Sequence, residues 1–136
     1  MSGDRRVLHP PGWKPPSGYA DGISATGRVV VTAGQIGWNP VTAEIESDDF
    51  AAQTAQALRN VVTVLRAGGA GPEHLVRLTW FVTSRDEYVA ARKAIGAAYR
   101  EIVGPYYPAM SVVVVTALVE QRARVEIEAT AVVPAD

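Results

Sequence analysis

Two apolar rhythms alternate along the chain from residue 27 onward. Val29 to Ala33 is a run dominated by β-branched residues, opened by Gly27-Arg28 and closed by Gly34, and it predicts a strand. Ala57, Leu58, Val61 and Leu65 then recur at helical spacing. Asp48 and Asp49 ahead of them suit the positive end of a helix dipole, and Gly68-Gly69 supplies a left-handed C-terminal cap. Leu75 to Thr83 returns to period two, with Val76, Leu78, Trp80 and Val82 on one face. Asp86 is expected to cap a second helix with the stripe Tyr88, Ala91, Ile95, Ala98 and Ile102, stopped by Gly104-Pro105. Two final strands, Ser111 to Leu118 and Arg124 to Val133, flank a polar connection at Glu120 to Arg122. Gly37 to Ala43, centred on Asn39-Pro40, reads as a turn or loop. Pro10, Pro11, Pro15 and Pro16 forbid helix near the N-terminus, so residues 1–17 are expected to be an irregular arm packed on the surface.

This order suggests two βαβ-like halves in an α+β fold, with both helices on one face of a single mixed sheet. Val112 to Val115 is unbroken valine, a pattern that implies burial on both faces. One face would meet the helices. The other needs a cover that a single chain does not supply, and association of identical copies is the economical answer.

Composition narrows the function classes. A chain of 136 residues fits one domain, 1–136, and its 48% hydrophobic and 20% charged residues are those of an ordinary globular protein. A net charge of -1 without a basic stripe argues against a nucleic-acid partner. The absence of cysteine removes disulfides, thiolate catalysis and cysteine-held metals. No metal-spaced cluster or nucleophile elbow is present, and Gly68-Gly69-Ala70-Gly71 follows a helix where a phosphate cradle would precede one. His9 and His74 are isolated and expected at the surface. With no apolar leader and no apolar run near ~18 residues, a cytoplasmic protein without membrane contact is expected.

Five short segments carry a resemblance. They are Gly18-Tyr19, Ala33-Gly34-Gln35-Ile36, Gln53-Thr54 with Leu58 and Asn60, Pro108-Ala109-Met110-Ser111-Val112, and Val125-Glu126-Ile127-Glu128-Ala129. In this order, over about residues 17 to 133, the chain resembles the Rid family of reactive intermediate deaminases, also called YjgF or L-PSP proteins. The resemblance implies a chorismate-mutase-like fold and a homotrimer with three clefts between subunits. It also implies hydrolysis of a small imine or enamine, in which water attacks the carbon and ammonia leaves, with no cofactor or metal. Glu126 matches the glutamate credited with orienting or activating the water, and Tyr19 matches the pocket tyrosine; these are the candidate catalytic residues. Gly34 matches a glycine lining the cleft, while Ala33 stands in place of the usual serine. Arg92 falls where many members have asparagine, and Val112 where cysteine is frequent. Met110 replaces the arginine that grips a 2-imino acid carboxylate. The connection before Glu126 is one residue longer than the commoner spacing.

Each candidate also has a plainer role. Glu126 and Glu128 share a strand face and would be ordinary surface charges if that face met solvent. Val125, Ile127 and Val132 instead suggest a central strand, where a carboxylate needs a partner or a task. Tyr19 can pack its ring on the sheet or present its hydroxyl to a ligand. Met110 reads as apolar packing at the end of a loop. Losing an arginine fork there removes about 1.5–3 kcal/mol, or ~10- to 150-fold in affinity for imino acids. A thioether favours a flatter, more apolar ligand. Arg92 is a solvated helix charge beside Lys93, or it turns into the cleft and restores anion binding from another wall. Trp80 reads as core, whereas Trp38, beside a loop, is placed to reach a ligand or a neighbouring subunit. Two functions follow: a hydrolase for imines or enamines other than simple 2-imino acids, or a non-catalytic trimer that binds or senses a metabolite.

Overall fold

The computed structural model describes residues 5–135. Nine strands and three α-helices follow in the order β1 (Arg6–Leu8), β2 (Gly22–Ser24), β3 (Arg28–Val31), β4 (Gln35–Ile36), β5 (Trp38–Asn39), β6 (Glu44–Ile45), α1 (Phe50–Ala67), β7 (Leu75–Val82), α2 (Arg85–Ala90), α3 (Arg92–Ile102), β8 (Ala109–Val114) and β9 (Val125–Val133). The main sheet has the order β3-β9-β7-β8, and β4 pairs with β9 beyond the end of β3. Its β7–β8 pair is parallel and its other pairs are antiparallel, so the sheet is mixed. The expected single sheet is thus accompanied by two small ribbons, β1–β2 and β5–β6.

One apolar core joins the helices to one face of the sheet. Leu58, Val61 and Leu65 of α1 and Ile95 and Tyr99 of α3 pack with Leu78, Trp80, Val82, Val125 and Ile127. The α1 boundaries follow from local chemistry. Asp49 accepts the Ala52 N–H at 2.9 Å, and Gly69 takes the left-handed conformation with φ +77° just past the end.

Several expectations are corrected. The second helix breaks at Ala91 into α2 and α3, and its cap is Ser84, which accepts the Glu87 N–H at 3.1 Å; Asp86 sits inside the first turn. A register shift between Leu75 and Arg77 puts Leu75, not Val76, in the core. Such a bulge lets two residues oppose one and flips the alternation beyond it. The N-terminal arm is not irregular throughout, since Arg6–Leu8 pair with β2 and Arg5 donates to the Leu75 carbonyl at 2.8 Å. The segment around Asn39-Pro40 is a turn closing the β5–β6 ribbon, where the Asn39 Oδ1 accepts the Val41 N–H at 2.9 Å. The valine run is not buried on both faces. β8 is an edge strand, and Val112, Val113 and Val114 are 36%, 41% and 56% exposed in the chain alone.

Polar residues of α1 fasten the loops. Gln53, 1% exposed, donates to the carbonyls of Ser47 (2.9 Å) and Arg122 (3.1 Å) and accepts the Arg124 N–H (2.8 Å). Asn60 donates to the carbonyls of Ile36 (3.1 Å) and Trp38 (3.0 Å). Gly37 is needed because a Cβ there would collide with the Gln53 backbone. Among the described residues, no helix is long and apolar enough to cross a membrane.

Candidate functional site

A cavity of about 860 Å³ lies on the helix side of the sheet, between the edge strand β8 and the α2–α3 pair. Register decides which strand residues reach it. Met110 lies opposite Leu78 and Val112 opposite Trp80, both core-facing residues of β7, so Met110 and Val112 look toward the helices. Met110 is a half-buried strand residue packed on the core, not the end of a loop. Tyr19 enters from the other side. The Ala20 N–H donates to the Pro108 carbonyl at 3.0 Å and Ala20 bridges to Ala109, which fixes Tyr19 beside the start of β8. Tyr19 is 44% exposed, so its ring lines the cavity instead of filling the core.

The floor is aromatic. Tyr99 and Tyr107 stack with ring centroids 5.0 Å apart and planes 18° from parallel. The Tyr99 hydroxyl donates to the Tyr106 carbonyl. Burial, and after it the neighbouring Tyr107, holds the Tyr99 phenol well above its ordinary range, so it stays a neutral donor. On the helix wall the Arg92 guanidinium lies over the Tyr88 ring, 5.8 Å from its centroid. Arg92 is therefore both exposed and part of the cavity wall.

Glu126 is elsewhere. It pairs with Phe81 and Ile36, on the sheet face away from the cavity, while its neighbours Val125 and Ile127 point into the core. The β3–β4 chain bulges at Ala33 and Gly34, where Thr32 exchanges hydrogen bonds with Ala129: its N–H donates at 2.9 Å and its Oγ1 accepts at 3.1 Å. The bulge lays Gly34 against the half-buried Glu126 carboxylate, and a Cβ on Gly34 would collide with it. Glu128, two residues on, shares this face and is exposed. One chain thus assembles Tyr19, Arg92, Met110 and Val112 on one side of the sheet, and Ala33, Gly34 and Glu126 on the other.

Trp38 belongs to neither group. It packs half-buried on Ile36, Ile45, Ala123 and Leu118 in a separate small cluster. His74 is not an idle surface residue, since its Nδ1 accepts the Gly71 N–H at 3.0 Å. His9 pairs with Asp21 at 2.9 Å near the β1–β2 ribbon. Among the described residues there is no group of three His, Asp or Glu placed to hold a metal. A second cavity, about 620 Å³, lies along the connection before β9, but its arginines are engaged: Arg122 with Asp48 at 3.0 Å and Arg124 with Glu87 at 2.7 Å. Tyr88, Tyr107, Gly96 and Arg100 are wall residues that pattern reasoning overlooked. The available signal was the i, i+4, i+8 spacing of Arg92, Gly96 and Arg100, which puts all three on one helix face.

Known proteins resemble this chain along most of its length. The profile of the endoribonuclease L-PSP family matches residues 13–133. A RutC family protein of Haemophilus influenzae is 35% identical over 106 residues, 78% of this chain and 80% of its own. The 2-iminobutanoate/2-iminopropanoate deaminase of Escherichia coli K12 is 34% identical over 114 residues, 84% of this chain and 86% of its own. The crystal structure of the Rid protein YyfB from Yersinia pestis superposes with a TM-score of 0.82 at 36% identity, covering 96% of this chain and 99% of that one. The match runs along nearly the whole chain, which belongs to the endoribonuclease L-PSP family, the YjgF and Rid proteins.

Proposed function

We propose that the chain acts as a homotrimer that hydrolyses a small imine or enamine in clefts between subunits. The observation that carries this is the split site. Residues that the family resemblance brings into one cleft lie on opposite faces of one sheet, so only a second copy can unite Tyr19, Met110, Val112 and Arg92 with Ala33, Gly34 and Glu126. The exposed valines of β8 and the exposed Val29 and Val31 on β3 supply apolar area for that contact. Light scattering is expected to give a mass near three times the 14.5 kDa chain. A stable monomer would remove the cleft and the proposal with it.

In this cleft Glu126 orients the attacking water, takes its proton and passes it to the nitrogen, which leaves as ammonia when the carbonyl forms. Tyr19 donates its hydroxyl to the reacting group, and no cofactor or metal takes part. The deaminase activity in the name of the Escherichia coli relative supports the reaction class. Substrate choice differs. Met110 stands at the position that the resemblance gives to a carboxylate-binding arginine, and it offers neither charge nor donor. The expected result is ammonia release from an uncharged enamine and little from freshly generated 2-iminopropanoate. Met110→Arg should raise affinity for 2-iminopropanoate about 10-fold or more. Strong native turnover of 2-iminopropanoate would sink this account of the pocket. A second reading, a trimer that binds or senses a metabolite in the cytoplasm without turnover, is favoured by the loss of polar handles at Ala33 and Met110. Tight ligand binding with no ammonia release from either compound would establish it.

A further inference from the structure

The cavity wall carries a charge that the roles above do not use. Arg85, Arg92 and Arg100 line it, and no acidic side chain does. Among the described residues, Arg92 and Arg100 have no carboxylate partner, while Arg85 reaches only the exposed Asp86 at 3.9 Å. Arg100 passes close over Gly96. A Cβ on Gly96 would stand 3.3 Å from its Nη1, so the guanidinium lies back along α3 across a notch that glycine leaves open. Glycine inside a helix is disfavoured relative to alanine, so a notch at this point weakens α3. The space beside it is about 860 Å³ in a single chain and open on one side, so it leaves room for a ligand bigger than a three-carbon imino acid even after a second copy closes over it. Met110, Val112 and Tyr107 give it an apolar lining.

We propose that the cavity takes an organic acid with an aromatic-sized apolar body, and that Arg100, at the Gly96 notch, holds its carboxylate. Arg92, stacked on Tyr88, adds a second positive charge to the same wall. The anion site proposed here lies on helix α3, and Met110 lines the sheet side of the same cavity. This rests on the reading of the cavity as the small-molecule site of the proposed function and names its ligand class.

Calorimetry on the native assembly with phenylacetate and its uncharged isostere phenylacetamide tests it. The acid is expected to bind about 10-fold or more tightly than the amide, because its contact with Arg100 is charge-assisted. Arg100→Met should bring the two near parity, and Arg92→Met should weaken the acid only about 2- to 5-fold. Equal binding of acid and amide by the native protein overturns the proposal. So does binding of neither by about 10 mM, or an acid preference that survives Arg100→Met. Failure of the hydrolytic reading is separate: acid preference without ammonia release from any imine sinks that reading and leaves this one standing.

Discussion

Glu126→Gln is expected to lower the rate of ammonia release from an enamine about 100-fold while leaving subunit assembly and melting temperature near those of the native protein. The glutamine keeps the shape and one acceptor oxygen, so it still fits under Gly34. It cannot take a proton from water, and that is the step assigned to this side chain. The prediction separates catalysis from packing because the core residues beside it, Val125 and Ile127, point the other way. A variant with undiminished turnover would remove Glu126 from the mechanism. Gly34→Ala approaches the same group from the opposite strand, and its Cβ must push the carboxylate aside.

Gln53→Leu is expected to lower stability by about 3 kcal/mol, a drop of ~10 °C in melting temperature. Gln53 makes three hydrogen bonds to main-chain groups of two segments far apart in sequence, Ser47 on one side and Arg122 and Arg124 on the other. Leucine fills a similar volume but leaves those groups without partners in a dry environment, so the loss exceeds the net worth of the bonds themselves. Thermal melts followed by circular dichroism measure it. A change below about 1 kcal/mol would mean that water replaces the amide at no penalty.

These two residues also mark what the sequence could and could not convey. Helix α1 was legible because its signals are local: an aspartate that caps, apolar residues at helical spacing, and a glycine pair at the end. The break at Ala91 was not, since alanine carries no stop signal. The alternation along β7 was visible, but a bulge is a property of pairing, and it exchanged Leu75 for Val76 in the core. Valines in β8 suggested burial because composition reports hydrophobicity and not the number of neighbours; the strand lies at the edge of its sheet. For the site, the signature segments singled out Glu126 and Met110 as candidates. Their placement on opposite faces depends on the registers of β7 with β8 and β9, which no single segment encodes. Trp38, chosen for its loop context, is claimed by a small cluster around Ile36, a long-range packing choice.

The open margin of β8 has a consequence for biogenesis. Beyond Ala109, where the N-terminal arm lies alongside, the strand offers unpaired backbone donors and acceptors flanked by valine side chains. A flat hydrophobic margin of that kind is a template for adding foreign strands and for fibril growth. If the chains associate as proposed, newly synthesised copies are most vulnerable in the interval before that contact covers the strand. Yield on expression should then fall when a variant slows association, even if it leaves the proposed assembly as stable as before.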